Sequence, residues 1–352
     1  MPQLGRKPMI FRQLFDFQTW TYTYLIASRK GGEAVIIDPV LDRVERYMQL
    51  FEELDIRLVK ALDTHVHADH ITGLGALRDR TQCVTVMSDK SQVDVVSMRV
   101  ADGDMVDLEG ISLKTLYTPG HTDDSVCFLW DDKLFSGDTL FIRGTGRTDF
   151  QHGDAGDQYD SIFNKLLTLP DDTLVYPGHD YKGDTVSTIA EEKAFNPRLQ
   201  VNSRDEYIEL MNNLHLDNPK MMDVAVPANL SIGLSQDEIE ELGWSFSPGD
   251  GAMLQTSGEH LLIDLRDTNE REAHGVIAGS IHAPYADLSE NVGPGGMLFE
   301  LARSGGKHLV FYCAYGERSA MAVRAAKDAG IEKAGHIKGG VDAWRNAGGA
   351  LE

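Results

Sequence analysis

The stretch Thr64-His65-Val66-His67-Ala68-Asp69-His70 decides the fold, because it places three imidazoles and a carboxylate in one short turn. It follows an apolar run, Leu58-Val59-Lys60-Ala61-Leu62, which predicts a buried strand. A strand end holds ligands on a stiff frame, and nitrogen and oxygen donors at this density are typical of divalent or redox metal sites. A single His in such a turn would indicate only a polar surface, whereas the full pattern indicates a metal site.

Three later turns repeat this arrangement. His121, Asp138 and His179 each come directly after a run that predicts a strand. Because strand ends from distant parts of the chain can converge on one edge of a sheet sandwich, we expect these side chains to meet the first turn there. The strands that precede them are predicted at 111–117, 133–135 and 174–176.

Length and charge limit the classes of protein to which the chain can belong. A chain of 352 residues predicts about two domains, each with its own core. Its hydrophobic content of 42% and charged content of 25% are ordinary for globular proteins. The net charge of -22 argues against nucleic acid or an anionic membrane surface as the main partner, and we interpret it chiefly as an aid to solubility.

The cysteines and the amino terminus predict a cytoplasmic protein. Cys83, Cys127 and Cys313 are widely spaced and odd in number, so no disulfide framework is expected and a reducing compartment fits best. Residues 1–12 lack the apolar centre of a signal peptide, and no later run is long enough to span a membrane.

The first part of the chain predicts strands covered by amphipathic helices. Residues 11–40 alternate as strands around a Gly31-Gly32 turn, and residues 42–55 repeat apolar side chains at helical spacing. Further elements are predicted as a short helix at 71–80, a strand at 83–87 and a strand at 125–130 that forms a hairpin with 133–135.

The order of the four turns, T-H-V-H-A-D-H, T-P-G-H-T, S-G-D-T and P-G-H-D-Y, resembles the metallo-β-lactamase superfamily. This resemblance implies an αββα sandwich, which is a pair of sheets with helices on both outer faces. Within the superfamily the chain closely resembles the persulfide dioxygenases from about Phe11 to Asn229. The stretches that carry the likeness are 136–154, 176–183 and 191–198.

The resemblance to persulfide dioxygenases implies one Fe(II) per chain, held by His65, His121 and Asp138. Two histidines and one carboxylate on one face of an iron leave positions for dioxygen and a substrate sulfur. The implied reaction converts glutathione persulfide, O2 and water to glutathione and sulfite. The iron activates O2, while the protein orients the substrate and excludes solvent.

A second interpretation of the same ligands is a binuclear hydrolase. His67, Asp69, His70 and His179 complete the seven-residue set with which glyoxalase II-type enzymes hold two metals and cleave thioesters. The ligand inventory alone leaves both interpretations open. The stretch R-G-T-G-R-T-D-F at 143–150 favours the dioxygenase, in which these four residues orient the ligands and waters around the iron.

Four residues in the family stretches are candidates for binding glutathione. Glutathione carries two carboxylates, so its pocket is expected to offer cations and a phenol. The candidates are Arg143, Arg147, Tyr181 and Lys182. Each has an equally strong structural interpretation, since an Arg in a tight glycine-rich loop often binds backbone carbonyls.

A change of character between Pro227 and Gly251 indicates a domain boundary. Acidic residues cluster at 236–241, and turn formers without a core pattern follow. We therefore predict a metallo-β-lactamase domain at 1–235, a linker at 236–250 and a second domain at 251–352. In the second domain, predicted strands at 260–265 and 308–312 alternate with helices ending near 274 and spanning 319–329 and 341–346, which predicts an α/β fold with a parallel sheet.

The second chemical centre is the loop that follows the strand at 308–312. Cys313 comes first and Arg318 last, so the backbone N–H groups can wrap around the sulfur at the start of a helix. That environment is expected to favour the thiolate, although a buried, inert cysteine is the common alternative. The remaining loop residues are Ala314, Tyr315, Gly316, Glu317 and Ser319.

Four residues separate Cys313 from Arg318, whereas cysteine phosphatases have five, and the smaller ring suits a persulfide better than a phosphate. The loop and the stretches 261–267, 277–284 and 337–344 resemble the single-domain rhodaneses. This resemblance implies sulfur transfer through a Cys313 persulfide, with Arg318 and the loop amides holding the charge.

Taken together, the two domains resemble persulfide dioxygenase-rhodanese fusions. The partners implied are glutathione persulfide, glutathione, O2 and thiosulfate or sulfite, and the direction of sulfur transfer stays open. A dioxygenase with a non-catalytic sulfur-carrier domain is the alternative, against which the presence of Cys313 argues. A homo-oligomer is compatible with the sequence, which does not fix the oligomeric state.

Overall fold

In the computed structural model, which describes residues 9–93, 95–214, 216, 221–232 and 236–352, the chain forms two units. The first contains most of the chain up to Ser231, and the second contains most of the chain from Ile232, together with two short earlier segments.

The strand before the first histidine turn belongs to a six-stranded sheet with the order β1-β2-β3-β4-β5-β6. The β1–β2 and β2–β3 pairs are antiparallel, and β3 and β4 are parallel. This agrees with the hairpins expected at 11–40. The strands are β1 (Ile10–Asp16), β2 (Thr21–Ala27), β3 (Glu33–Ile37), β4 (Arg57–Leu62), β5 (Val84–Ser88) and β6 (Met98–Val100).

A second six-stranded sheet has the order β12-β11-β10-β9-β8-β7. It faces the first sheet through aromatic rings, for example Phe11 against Tyr176 at 5.2 Å and Tyr24 against Phe135 at 4.9 Å between centroids. Its strands are β7 (Met105–Leu108), β8 (Ile111–Tyr117), β9 (Val126–Trp130), β10 (Lys133–Gly137), β11 (Leu174–Pro177) and β12 (Ser187–Thr188).

Helices cover the outer face of each sheet. On the first sheet, alternation along β2 turns Tyr24 inward and Thr23 outward, where its hydroxyl lies 3.0 Å from that of Tyr47 in α1. On the second sheet, Leu134 and other apolar residues pack against Ile162 of α3 and Met211 of α5. The predicted αββα layering is confirmed. The helices of this part are α1 (Val44–Leu54), α2 (Leu74–Thr81), α3 (Ala155–Asn164), α4 (Ile189–Phe195), α5 (Arg204–Asn212) and α6 (Met222–Leu230).

The ends of the strands meet at one edge, as expected. β10 and β11 run parallel, so Asp138 and His179 follow neighbouring strand ends. Gly137 has φ +48, and a Cβ there would lie 2.6 Å from the Thr64 hydroxyl oxygen of the first turn. Glycine is therefore required at this position, because it lets the two turns approach closely enough to share a site.

The second unit is built on a five-stranded sheet with the order β13-β17-β16-β14-β15, and every pair in it is parallel. The predicted parallel α/β fold is confirmed. Alternate residues of the central strand pack on opposite faces, with Phe311 in one apolar cluster and Val310 in the other. The strands are β13 (Ser245–Phe246), β14 (His260–Asp264), β15 (Ile281–His282), β16 (His308–Tyr312) and β17 (Ala334–Ile337).

Seven helices accompany these strands in the part of the second unit that the structure describes. They are α7 (Gln236–Glu241), α8 (Gly251–Thr256), α9 (Thr268–His274), α10 (Leu288–Val292), α11 (Met297–Gly305), α12 (Glu317–Asp328) and α13 (Gly340–Asn346). Across all described residues, no helix combines the length and the apolar character that crossing a membrane requires.

The segment 236–250, which we expected to be a linker, has regular structure. It holds α7 and the strand β13, and β13 pairs with β17 at the edge of the sheet. Two residues of an edge strand pair through their backbone, so they need no hydrophobic alternation that the sequence would reveal. The limits of the domains that we drew from the sequence remain a prediction.

Candidate functional site

His65, His121 and Asp138 come together at the shared edge of the two sheets. One ligand atom from each lies within 4.8 Å of the other two. The Nε2 atom of His121 lies 3.5 Å from Oδ2 of Asp138, and the rings of His65 and His121 stand nearly perpendicular with centroids 4.9 Å apart. The three side chains therefore form a group of the size that a single metal ion requires.

Neighbouring groups fix the orientation of both imidazoles. The Nδ1 atom of His121 lies 2.7 Å from the carbonyl oxygen of Arg147, to which it donates. The Nδ1 atom of His65 lies 3.0 Å from the hydroxyl of Thr64. Since the Nδ1 atoms are engaged, the Nε2 atoms are the ones available as ligands, which is the arrangement found around metal-binding histidines.

The electrostatics of this group suit a metal cation. Burial holds the pKa of His65 well below its usual value, and the neighbouring His67 and His121 lower it further, so the ring is neutral as a ligand must be. Among the described residues, Oδ1 of Asp138 is buried without a hydrogen-bond partner. A buried, unsatisfied carboxylate oxygen beside the neutral ring of His65 fits a bound divalent metal.

A second group of possible ligands lies in the same histidine turn. His67, Asp69 and His70 also offer ligand atoms within 4.8 Å of one another. Nδ1 of His70 lies 3.0 Å from Oδ2 of Asp69, and Nε2 of His179 lies 3.6 Å from the same oxygen. The structure thus brings together all seven residues of the predicted ligand set, and its geometry accommodates one metal or two.

Asp38 and Asp63 contact the Nε2 atom of His67. Its Nε2 atom lies 3.3 Å from Oδ1 of Asp38 and 3.8 Å from Oδ1 of Asp63. Burial disfavours the charged ring, but Asp38 and Asp63 outweigh burial and raise the pKa of His67 well above its usual value. The sequence analysis missed both aspartates, although each directly follows a predicted strand, which was the available signal.

Asn229 ties the histidine turn to α6. Its buried side-chain amide donates to the carbonyl oxygens of His67 at 2.9 Å and His70 at 2.8 Å, and it accepts from the N–H of Thr72 at 2.8 Å. Sequence reasoning missed this residue as part of the site. A lone Asn in the otherwise apolar run Val224–Leu230 was the signal that could have indicated it.

A cavity of about 870 Å³ opens onto the three central ligands. All four residues that we proposed for glutathione lie on its wall: Arg143, Arg147, Tyr181 and Lys182. The structure therefore places the four candidates beside the metal group, and their role in binding glutathione remains a prediction.

The four candidates differ in how far other side chains engage them. Arg143 forms ion pairs with Glu192 and, at 2.9 Å, with Glu191. Arg147 binds Asp149 through two nitrogen atoms at 2.6 and 2.7 Å. Carboxylates of the chain thus already neutralise both arginines, which agrees with the structural interpretation of these two residues.

Tyr181 and Lys182 extend further into the solvent. Tyr181 is 62% exposed, and its ring stacks on that of His179 with centroids 6.0 Å apart. Lys182 is exposed, while its backbone N–H is fixed by Oδ2 of Asp180 at 2.9 Å. These two side chains are the better placed to meet a ligand in the cavity.

In the second unit, Cys313 lies at the end of β16 inside the predicted loop. Its Sγ atom accepts from the N–H of Gly316 at 3.1 Å and lies 3.8 Å from Oγ of Ser319 and 4.0 Å from Oε1 of Glu317. The guanidinium of Arg318 is fully buried and paired with Glu270 at 2.6 and 2.9 Å. The loop does wrap around the sulfur as the sequence indicated.

The expectation that this environment favours a thiolate is wrong. Cys313 is completely buried, and burial raises the pKa of its thiol to about 11. The carboxylate of Glu317 contributes to this rise after burial, whereas Arg318 and the N–H groups of Gly316 and Ser319 only partly oppose it. The closed loop therefore holds a neutral thiol.

Comparison with known proteins places both units. The metallo-beta-lactamase superfamily model matches residues 21–95 and 98–179, and the rhodanese-like domain model matches residues 250–347. The human mitochondrial persulfide dioxygenase ETHE1 (Homo sapiens) is 46% identical over 230 residues, which are 64% of this chain and 90% of that protein. This chain belongs to the persulfide dioxygenase family.

A solved structure and a further curated protein are also similar to this chain. The crystal structure of ETHE1 from Myxococcus xanthus is 54% identical, with a TM-score of 0.62, and the match covers 64% of this chain and all of that one. A hydroxyacylglutathione hydrolase of Francisella philomiragia is 34% identical over 182 residues, which are 50% of this chain and 70% of that protein. The predicted resemblance to a persulfide dioxygenase carrying a rhodanese domain is confirmed.

Proposed function

We propose that the chain is a bifunctional enzyme of sulfur metabolism. Its first unit oxidises glutathione persulfide with O2 and water to glutathione and sulfite, and its second unit transfers sulfane sulfur between thiosulfate and glutathione. The observation that carries the first activity is the group of His65, His121 and Asp138 at the cavity of this chain, which is 46% identical to a persulfide dioxygenase over 230 residues.

These three residues would hold one Fe(II). Two histidines and one carboxylate are the ligand set of non-haem Fe(II) oxygenases. The neutral ring of His65, His121 and the carboxylate of Asp138 with its buried Oδ1 atom supply this set here. When bound, the iron supplies the electrons that activate O2. The carbonyl of Arg147 holds His121 in the ligand orientation, and Asp38 and Asn229 hold the histidine turn.

The cavity would take the glutathione portion of the substrate. The exposed ammonium of Lys182 is suited to one of the carboxylates of glutathione, and the phenol of Tyr181 can donate a hydrogen bond beside His179. Arg143 and Arg147 contribute positive charge that Glu191, Glu192 and Asp149 reduce. Their main effect would be to shape the wall.

The second unit would transfer sulfur through Cys313. The Cys313 thiol gives up its proton to solvent, and the resulting thiolate attacks the outer sulfur of thiosulfate. A new S–S bond forms as the S–S bond of thiosulfate breaks, with its electron pair leaving on sulfite. The thiolate of glutathione then attacks the outer sulfur of the Cys313 persulfide, which forms glutathione persulfide and returns the Cys313 thiolate. Each step breaks one S–S bond and forms another, so no external oxidant is needed and the sequence can run in either direction.

Replacing one cysteine tests whether the two activities are separate. The variant Cys313→Ser should lose sulfur transfer between thiosulfate and glutathione while keeping O2 uptake with supplied glutathione persulfide. Cys127→Ser serves as a matched control, because it also removes a buried cysteine but leaves the loop intact. Loss of both activities in Cys313→Ser alone would contradict independent sites.

A binuclear hydrolase is the second candidate for the first unit. The group of His67, Asp69 and His70 and the 34% identity to a hydroxyacylglutathione hydrolase favour it. Metal analysis together with a glutathione thioester assay decides between the two. Two metals per chain with thioester cleavage would support the hydrolase, and one iron without cleavage would support the dioxygenase.

A further inference from the structure

The segment 236–246 precedes the matched rhodanese-like residues 250–347, and two of its side chains contact the cysteine loop or the neighbouring strand β17. Gln236 of α7 binds the loop itself, and Ser245 of β13 binds His336 of β17. We propose that residues 236–246 complete the sulfurtransferase site. Gln236 fixes the Cys313 loop, and Ser245 directs a hydrogen bond onto the sulfur. This inference rests on the proposed sulfur transfer at Cys313.

Gln236 joins the loop to the turn before α13. Its amide nitrogen donates to the carbonyl oxygen of Tyr315 at 2.9 Å, and its amide oxygen accepts from the N–H of Gly339 at 2.7 Å. Gly316 has φ +103, and a Cβ there would lie 2.0 Å from that same oxygen. The side chain is thus packed directly against the residue whose N–H binds the sulfur.

Ser245 begins a chain of hydrogen bonds that ends at Cys313. Its hydroxyl lies 3.0 Å from Nε2 of His336, and Nδ1 of His336 lies 3.1 Å from the hydroxyl of Ser319. The hydroxyl oxygen of Ser319 is in turn 3.8 Å from Sγ of Cys313. His336 and Ser319 are fully buried, so water does not compete for the contact between them, whereas Ser245 at the start of the chain is half-buried.

The order of donors along this chain determines what reaches the sulfur. When Ser245 donates to Nε2, the proton of the neutral ring lies on Nδ1, which then donates to the oxygen of Ser319. The hydroxyl of Ser319 can therefore donate its own hydrogen elsewhere. In the thiol state it donates to the carbonyl oxygen of Gly316, with 2.8 Å between the two oxygen atoms. It can turn to Sγ when the sulfur becomes an anion. Without Ser245, the His336 ring can carry its proton on Nε2 instead. Its Nδ1 atom then accepts the hydroxyl hydrogen of Ser319, which is no longer available to Sγ.

The sheet itself places Ser245. In the parallel pairing of β13 with β17, Ser245 stands opposite His336, and the N–H of His336 donates to the carbonyl of Trp244 at 3.0 Å. The edge strand that the sequence analysis took for part of a linker therefore fixes the position of the first hydroxyl in the chain.

Charges around the chain are consistent with this role. Burial lowers the pKa of His336 to about 4, although a hydrogen bond of the ring to the backbone of Gly316 opposes it. Lys338 acts in the same direction as burial and Glu240 opposes, and the ring is neutral near pH 7. Beside the sulfur, Glu317 disfavours the anion. Arg318 favours the anion, but Glu270 neutralises its charge, so directed hydrogen bonds are needed to stabilise the sulfur.

Alkylation of the native full-length chain by iodoacetamide tests both parts of the inference. The rate at the Cys313 peptide is followed by mass spectrometry across pH, with the Cys127 peptide as an internal reference. We expect Ser245→Ala to move the midpoint of the Cys313 profile upward and to slow alkylation at pH 8 roughly three- to tenfold, because an anion loses a directed donor. Ser245→Thr, which keeps the hydroxyl, should restore the wild-type midpoint.

Gln236→Ala should act differently. Releasing the loop exposes the sulfur, so alkylation should accelerate at every pH without a shift of the midpoint. Ser304→Ala is the control, since it removes an exposed hydroxyl that donates to the carbonyl of Glu300 in α11 and should alter neither quantity. His336→Gln should reproduce the shift of Ser245→Ala and gives a second variant should one fail to fold.

An unchanged midpoint in both Ser245→Ala and His336→Gln would overturn the proposed hydrogen-bond chain. An unchanged alkylation rate in Gln236→Ala would overturn the proposal that Gln236 fixes the Cys313 loop. Alkylation requires no sulfur transfer. A wild-type chain that fails to exchange sulfur between thiosulfate and glutathione would therefore refute the proposed function. The pH profiles of alkylation would still decide whether Gln236 and Ser245 act on Cys313.

Discussion

Replacing Asn229 by alanine should loosen the histidine turn and weaken metal binding. The side chain makes three buried hydrogen bonds, two to carbonyls of the turn and one from the N–H of Thr72. At about 1 kcal/mol each, their loss corresponds to about 3 kcal/mol of unfolding free energy. Because the turn carries His65, we also expect the affinity for Fe(II) to fall roughly tenfold or more.

The assay combines urea unfolding with anaerobic titration of Fe(II). Asn196→Ala is the matched control, since Asn196 is also fully buried and its amide donates to the carbonyl of Gly144 at 2.9 Å and to Glu192 at 2.9 Å, away from the histidine turn. Asn196→Ala should lose similar stability and keep its iron affinity. The reasoning is refuted if Asn229→Ala binds iron as tightly as the wild type does.

Four further variants test the cavity, the buried thiol and the buried ion pair. Lys182→Ala and Tyr181→Phe should each raise KM for glutathione persulfide about fivefold with unchanged iron content, and an unchanged KM in steady-state O2 uptake would remove them from the substrate site. Because the thiol of Cys313 has a higher pKa in the folded than in the unfolded chain, it stabilises the folded state while it is protonated. This stabilisation should be complete below about pH 9 and be lost as the pH rises toward 11. Urea unfolding should therefore show that Cys313→Ala removes roughly 2–3 kcal/mol of this pH dependence, while parallel curves for the two proteins would contradict the assignment. Arg318→Ala should destabilise the second unit by roughly 3–5 kcal/mol because it removes the cation that compensates the buried carboxylate of Glu270, and a thermal unfolding midpoint equal to that of the wild type would argue that the pair is not formed.

Much of the fold was predictable because periodicity and strand ends are local signals. The runs at 111–117 and 308–312 are strands with the predicted bounds, and the four turns of His65, His121, Asp138 and His179 meet at one edge. Their convergence required only that strand ends of a sandwich share an edge. The resemblance to a known family then supplied the layering of two sheets between helices.

Residues whose role depends on distant partners were not predictable from local patterns. Asn229 is one polar residue in an apolar helix, and nothing in its surroundings in the sequence reveals that it binds a turn some 160 residues earlier. The ion pairs of Arg143 with Glu191 and Glu192 are equally invisible before folding. Sequence patterns identified these stretches as important without revealing how they act.

The cysteine loop shows why motif chemistry alone misjudged the thiol. The N–H of Gly316 and the start of α12 are present as expected, and both favour an anion. Complete burial and the carboxylate of Glu317 act more strongly in the opposite direction. Burial is a property of the whole unit, so its effect on Cys313 could be assessed only from the folded structure.

The central claim is that His65, His121 and Asp138 hold a single Fe(II) at which glutathione persulfide is oxidised. The most direct test measures iron content and O2 uptake on one anaerobically reconstituted preparation of the full-length chain. The account predicts one iron per chain and one O2 consumed per sulfite formed when glutathione persulfide is added. Stoichiometric iron with no O2 uptake, or O2 uptake that persists in Asp138→Ala lacking iron, would contradict it.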